Sequence, residues 1–245
     1  MRISYANVFD NYTPVVSSEN LNYLGTNVQD SRLSKVWRTT ALTSAYISVD
    51  CGTGKYQPTI GAIFNHNLTT GATIKLQGSS SSGFSVVVEK ALARINTNCA
   101  IGFSTLASRR YWRFLVKDTG STYSYMSVGR MWIGTYINVT IQNEIKEDHI
   151  DGSVYSLSYS RQHYGDEGEI GRGYDLQFPV LTTTGKTALD AFNTAVKKYK
   201  NFITIIDPAD MTKITPVYGF KTNDISYDYI YSYQWMAKFR VEESK

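Results

Sequence analysis

Apolar and polar positions alternate in short bursts through the first half of the chain. In "AYISVDCG", Tyr46, Ser48 and Asp50 oppose Ile47, Val49 and Cys51, and the run stops at Gly52. "TIGAIF" and "ATIKLQG" follow, separated by the turn-rich "NHNLTTG", and "GFSVVVEKAL" comes after the serine run "GSSSSG", which reads as a flexible loop. An extended chain sends successive side chains to opposite faces. "RRYWRFLVKD" would therefore set Arg110, Trp112, Phe114 and Val116 on a core face and Tyr111, Arg113, Leu115 and Lys117 on the other. Burying Trp112, Phe114 and Val116, at roughly 1.5 to 3 kcal/mol each, is enough to hold that register. "YMSVGRMWIG" closes the series, and the whole predicts an all-β sandwich or barrel over residues 1–140.

The pattern changes at "NVTIQNEIKEDHIDGS", where charge rises and apolar periodicity lapses, so a boundary is expected near residue 140 and a second domain over 141–245. "SVYSLSYSRQHY" and "GRGYDLQFPVL" read as strands around the acidic loop "GDEGEI". "GKTALDAFNTAVKKYKN" has Leu189, Phe192, Val196 and Tyr199 at helical spacing, with lysines at its C-terminal end where the helix dipole favours them. One helix is thus expected at about 185–200. "FITIIDP" reads as a buried strand stopped by proline, and "ISYDYIYSYQWMAKFRVEE" as one long closing strand. The fold class is mainly β, with a β-rich α+β second domain.

Composition narrows the function classes. The chain has 245 residues, enough for two domains with separate cores. It has no apolar run of about 18 residues and no signal-peptide core near its start, so a soluble chain made in a cytoplasm, without membrane insertion, is expected. Cys51 and Cys99 are too few for a disulfide framework and read as buried thiols. Residues 1–140 carry 13 Lys and Arg against 6 Asp and Glu, a balance of +7, and residues 141–245 carry 12 against 15, or −3. Only "RRYWR" is densely basic, which argues against a nucleic-acid partner. Halves of opposite sign suit copies of the chain packing together. Arg113 and Lys117, with Arg109 beside them, are then either a solvated face or an interface.

No motif supplies chemistry. His66, His149 and His163 lack partners at i+3 or i+4 and read as turn or surface residues, so no metal site is expected. "GSSSSGFS" lacks the lysine of a phosphate loop, and "GEIGRGYD" precedes a strand where a phosphate site needs a helix. Asp148 with Asp151, or Asp166 with Glu167 and Glu169, could serve a glycosidase in principle, but such clusters are usually solvated loops. Catalytic, cofactor-binding and metal-ligating residues are all expected to be none.

The run from "YISVDCG" through "ATIKLQGS" to "RRYWRF" and "WIG" resembles the discoidin, or coagulation-factor type C, domain over residues 20–135. That resemblance implies a galactose-binding-like jelly roll. The fuller pattern "DSRLSKVWRT…YISVDCG…IGAIFNHNL…RYWRF…YMSVGRMWIG" is similar to jelly-roll domains of bacteriophage minor tail and baseplate proteins, and the second half looks like the ring-forming domain of the distal-tail family. The implied role is structural: a homo-oligomeric ring in a virion tail tip, contacting other tail proteins, with the jelly roll presented for fibres or the host surface. In such a domain Arg110 or Arg113 would cap strand ends or pair with Asp30, Asp50 or a neighbouring subunit. The alternative is a carbohydrate-binding adsorption protein whose sandwich-end loops meet a host glycan. Its candidate contacts are Trp37 and Arg38, then Asn65, His66 and Asn67, then Tyr123 and Tyr125, with Trp37 also readable as a core plug.

Overall fold

The structure is a computed structural model and describes residues 1–96, 98–140, 145–157, 159, 161, 163–231 and 234–244. The chain divides into two compact units, one formed by residues 2–137 with 205–216, the other by residue 1 with 138–204 and 217–245. It is mainly β with one α-helix among the described residues.

Eleven strands precede residue 137: β1 (Arg2–Ser4), β2 (Val15–Val16), β3 (Trp37–Arg38), β4 (Ala45–Asp50), β5 (Ile60–His66), β6 (Thr73–Ser79), β7 (Val87–Ala91), β8 (Ala93–Arg94), β9 (Cys99–Phe103), β10 (Tyr111–Lys117) and β11 (Ser127–Gly134). Ten of them, β2 to β11, build two five-stranded antiparallel sheets, β2-β4-β10-β6-β7 and β3-β11-β5-β9-β8. This is a jelly-roll β-sandwich, and its core draws on both sheets: Ile47, Val49, Leu76, Trp112, Phe114 and Val116 from one, Trp37, Ile63, Met131 and Ile133 from the other. The alternation in "RRYWRFLVKD" is realised: Trp112, Phe114 and Val116 are fully buried while Tyr111, Arg113 and Leu115 are half-buried and Lys117 exposed. Gly78 lies across from Trp112, and a Cβ there would fall 2.6 Å from the indole, so only glycine lets β6 cross the ring. Arg110 does not join the core face. It precedes the strand and forms a two-pronged ion pair with Asp50, both contacts at 2.7 Å.

The remaining strands are β12 (Ile137–Asn138), β13 (Lys146–Asp151), β14 (Val154–Leu157), β15 (His163–Asp166), β16 (Ile170–Leu181), β17 (Phe202–Ile205), β18 (Val217–Lys221), β19 (Ser226–Tyr231) and β20 (Gln234–Glu243). In the second unit the order β17-β18-β20-β16-β13 forms one sheet, with β19 also paired to β20 and β14-β15 a separate ribbon. Helix α1 (Thr183–Val196) packs Leu189, Phe192 and Val196 inward, and Phe192 meets Phe202 and Phe239 with ring centroids at 4.8 and 5.6 Å. Pro179, which has no N–H to give a ladder, falls where the β16–β20 register shifts.

Four expectations change. The helix starts at Thr183, with Thr182 as its N-cap, and stops at Val196 because Lys197 adopts φ 52°; the lysines lie beyond the last turn and Tyr199 is exposed. The tyrosine-rich terminus is a hairpin, β19 against β20, where one strand was expected. Its unbroken alternation hid the reversal. "KEDHID" is a strand paired with β16 although its residues are exposed or half-buried, so its mixed charges concealed it and His149 lies in a strand, not a turn. The serine run forms a bonded turn, with the Phe84 amide donating to the Ser81 carbonyl at 3.2 Å. Residues 141–144 of the expected boundary region lie outside the described residues.

Candidate functional site

A turn at residues 20–23 is shaped by its own polar groups: the Asn22 amide donates to the Asn20 side chain at 3.0 Å, and the Tyr23 amide to the Asn20 carbonyl at 2.8 Å. It is clamped on β3, since the Arg38 amide donates to the Tyr23 carbonyl at 3.1 Å and the Asn20 amide to the Arg38 carbonyl at 2.9 Å. The Arg38 side chain then lies over Tyr23, with Cζ 3.6 Å from the ring centroid.

β3 pairs with the start of β11, Arg38 opposite Ser127, which brings the segment before β11 alongside. The Thr39 amide donates to the Met126 carbonyl at 2.9 Å, and the Met126 amide returns a bond to Thr39 Oγ1 at 2.9 Å. Tyr125 thereby comes within 4.8 Å of the Arg38 guanidinium, and Tyr123 stands 5.9 Å from Tyr125, centroid to centroid. Tyr123 is 54% exposed. The arrangement is a guanidinium between two tyrosines with a third tyrosine open to solvent, and Arg38 Nε is buried without a hydrogen-bond partner. Such a set can stack on an apolar face and donate hydrogen bonds to oxygens beside it.

The expected contact residues divide. Tyr123, Tyr125 and Arg38 meet in this cluster; Trp37 is fully buried, with its indole N–H donating to the Ser18 carbonyl at 2.9 Å, the core-plug reading. Asn65, His66 and Asn67 instead spend their polar groups within the protein. Asn65, at φ 50°, donates from its amide to the Leu33 carbonyl at 2.6 Å. His66 is buried, its Nδ1 accepting from the Leu68 amide at 3.3 Å, and desolvation followed by the Arg94 charge pushes its pKa down to about 4. Asn67 spans the site from behind: its amide nitrogen donates to the Tyr125 carbonyl at 3.0 Å and its oxygen accepts from the Ser127 amide at 2.7 Å. Asn67 thus positions Tyr125. The sequence reading missed Tyr23, whose only signal is the turn chemistry of "NLNY".

The expected interface residues do not share one environment. Arg109 donates to the Ser108 carbonyl at 2.9 Å, Lys117 is exposed at the end of β10, and Arg113 Nε donates to Gln77 Oε1 at 2.8 Å. Of the acidic pairs, Asp148 is held by Arg240 at 2.8 Å and Lys146 at 3.2 Å, and those partners lower its pKa. Both cysteines are buried and neither forms a disulfide, and burial raises the Cys51 thiol to about 11. No three His, Cys, Asp or Glu side chains converge as a metal site among the described residues, and no described helix is long and apolar enough to cross a membrane.

No protein-family model and no curated protein sequence matches the chain. Solved structures do match, over about half of it. Chitosan-binding module 1 from a chitosanase/glucanase of Paenibacillus sp. IK-5 aligns at TM-score 0.42 and 16% identity, covering 53% of this chain and 98% of the module. A Streptococcus pneumoniae fucose binding module aligns at 0.43 and 13%, covering 53% and 95%. The lectin domain of lectinolysin, solved with Lewis B antigen, aligns at 0.44 and 14%, covering 53% and 96%.

Proposed function

We propose that the first unit is a glycan-binding module, and that the Tyr23, Arg38, Tyr123 and Tyr125 cluster holds the sugar without turning it over. The observation that carries this reading is the Arg38 guanidinium, seated 3.6 Å from the Tyr23 ring and 4.8 Å from Tyr125, with the exposed Tyr123 ring beside Tyr125. A sugar ring presents an apolar C–H face and a rim of hydroxyls. The open Tyr123 ring suits the first and the guanidinium donors suit the second. The test is a glycan panel containing chitosan oligomers, fucosylated Lewis antigens and mannuronate oligomers, followed by calorimetry on the hits. Tyr123→Ala and Arg38→Gln should each weaken a genuine ligand at least about tenfold. A panel with no hits, or hits indifferent to both substitutions, overturns the reading.

A structural role in a phage tail tip is the second reading, supported by the motif resemblance and by the opposite charge of the two halves, +7 and −3. It is compatible with the first, since adsorption proteins both assemble and bind. Native mass spectrometry at two salt concentrations tests it: a closed oligomer that loosens with salt supports assembly, and a salt-indifferent monomer removes it.

A further inference from the structure

The outer face of the β2-β4-β10-β6-β7 sheet carries a straight polar row. Ser48 on β4, Arg113 on β10, Gln77 on β6 and Glu89 on β7 stand opposite one another in register. Four strands at about 4.8 Å spacing make this row roughly 14 Å long, the length of a few sugar residues. The row is wired from one end: Lys75 holds Glu89 at 2.6 Å, Glu89 accepts from Gln77 at 2.7 Å, and Gln77 accepts from Arg113 Nε at 2.8 Å. The Phe84 ring lies 4.1 Å from the Arg113 guanidinium and the Tyr46 ring 5.1 Å away. Phe84 reaches that position at φ 52°, a left-handed conformation that costs a bulky residue strain.

Arg113 is oriented and flanked, yet it has no anion. Residues 2–137 contain six carboxylates and residues 205–216 of the same unit two more, Asp207, which accepts from the Ala209 amide, and Asp210, paired with Lys213; none pairs with Arg113. Asp10 pairs with Arg130, Asp30 with Arg32, Asp50 with Arg110 and Glu89 with Lys75. Glu19 accepts from the Gly25 amide, and Asp118 from the Thr69 amide and hydroxyl. Beyond the Gln77 bond and the two rings, no other partner of Arg113 occurs among the described residues, so its two terminal nitrogens are available. Desolvation already presses its pKa below the usual arginine value, the direction expected of a half-buried cation without a counter-charge.

We propose that this sheet face is a second binding site, in which Arg113, held by the buried Gln77, takes the carboxylate of an acidic, uronate-type polysaccharide while Ser48 and Glu89 on either side meet its hydroxyls. With Nε committed to Gln77, the free edge of the guanidinium fork matches a planar carboxylate. The basic balance of these residues favours an anionic chain. A protein partner fits less well, because protein interfaces are depleted of Lys and Glu at their centres and this face places Lys75 and Glu89 beside Arg113. The site lies in the opposite sheet from Arg38 and does not depend on the loop cluster.

Titration of the full-length protein with polygalacturonate, its carboxyl-reduced neutral form and polyglutamate tests the proposal. The polyuronate should bind, and the reduced polymer at least about tenfold more weakly. Arg113→Gln should lose about tenfold to a hundredfold, Arg113→Lys less, and Tyr199→Ala, an exposed residue of the second unit, nothing. Phe84→Gly, which removes the ring and tolerates the backbone angle, should also weaken binding, so the result does not hang on one variant. Polyuronate affinity that survives Arg113→Gln, or that Tyr125→Ala abolishes, overturns the proposal. So does equal capture of polyglutamate through Arg113, which would mark a protein-docking face. Because the loop site is read by Tyr123→Ala and this one by Arg113→Gln, either can fail alone.

Discussion

Asn67→Ala is the substitution that separates positioning from contact. The Asn67 amide makes two bonds to the segment carrying Tyr125, one to the Tyr125 carbonyl at 3.0 Å and one from the Ser127 amide at 2.7 Å. Each contributes about 0.5 to 1.5 kcal/mol net, so their joint loss should destabilise the first unit by about 1 to 3 kcal/mol. The backbone bond from the Asn67 amide to the Ser127 carbonyl, at 3.3 Å, survives and limits the damage. A Tyr125 no longer pinned must be ordered when ligand arrives. Immobilising one such side chain costs about 0.5 to 1.5 kcal/mol, a loss of roughly 2- to 10-fold in affinity. Denaturation followed by tryptophan fluorescence reads the stability, since Trp37, Trp112 and Trp132 all sit buried in this unit. Calorimetry on the best panel glycan reads the affinity. Asn67→Asp keeps the acceptor for Ser127 but sets a carboxylate oxygen against the Tyr125 carbonyl, so it should destabilise at least as much as alanine. Lost stability with unchanged affinity would refute the positioning argument, and unchanged stability would show that the two bonds contribute nothing net.

Gly78→Ala should lower stability by about 1 to 3 kcal/mol, because the new methyl would meet the rigid Trp112 indole at 2.6 Å; calorimetric melting that matches wild type would contradict it. His66 has its folded pKa depressed from 6.5 to about 4. The unfolded chain then binds the extra proton first, so the stability from neutral His66 is complete above about pH 6.5 and is lost as pH falls toward 4. Urea titrations across that window should show the decline, and His66→Gln should flatten it. Arg110→Ala should leave the melting temperature nearly unchanged, since its pair with Asp50 is exposed on both sides and water screens it; a large drop would mean that the pair organises the strand end.

What could be read from the chain was local and periodic. Ala45–Asp50 and Tyr111–Lys117 alternate strictly, and in an extended chain alternation alone states which side chains turn inward. The buried face of α1 was legible for the same reason, through Leu189, Phe192 and Val196. Where period carried no contrast, the reading slipped. The hairpin of β19 and β20 alternates on both sides of its reversal, and β13 has polar residues on both faces.

The candidate site is non-local in origin. Tyr23, Arg38 and Tyr125 are adjacent because β3 pairs with β11 and the 20–23 turn bonds back onto Arg38. Asn67 looked like a ligand contact because it is polar and lies in a loop; only the folded partner strands show that its amide is spent on Tyr125 and Ser127. The same holds for Arg113, whose sequence position announced an outward charge but not that it pairs with no carboxylate among the described residues. Thus the amino-acid pattern alone set which residues turn inward wherever apolar and polar positions contrast, as in β4, β10 and α1, because that depends on neighbours one to four positions away. Tertiary structure decided which outward side chains converge and which charges lack a partner, because both depend on strand order between residues distant along the chain.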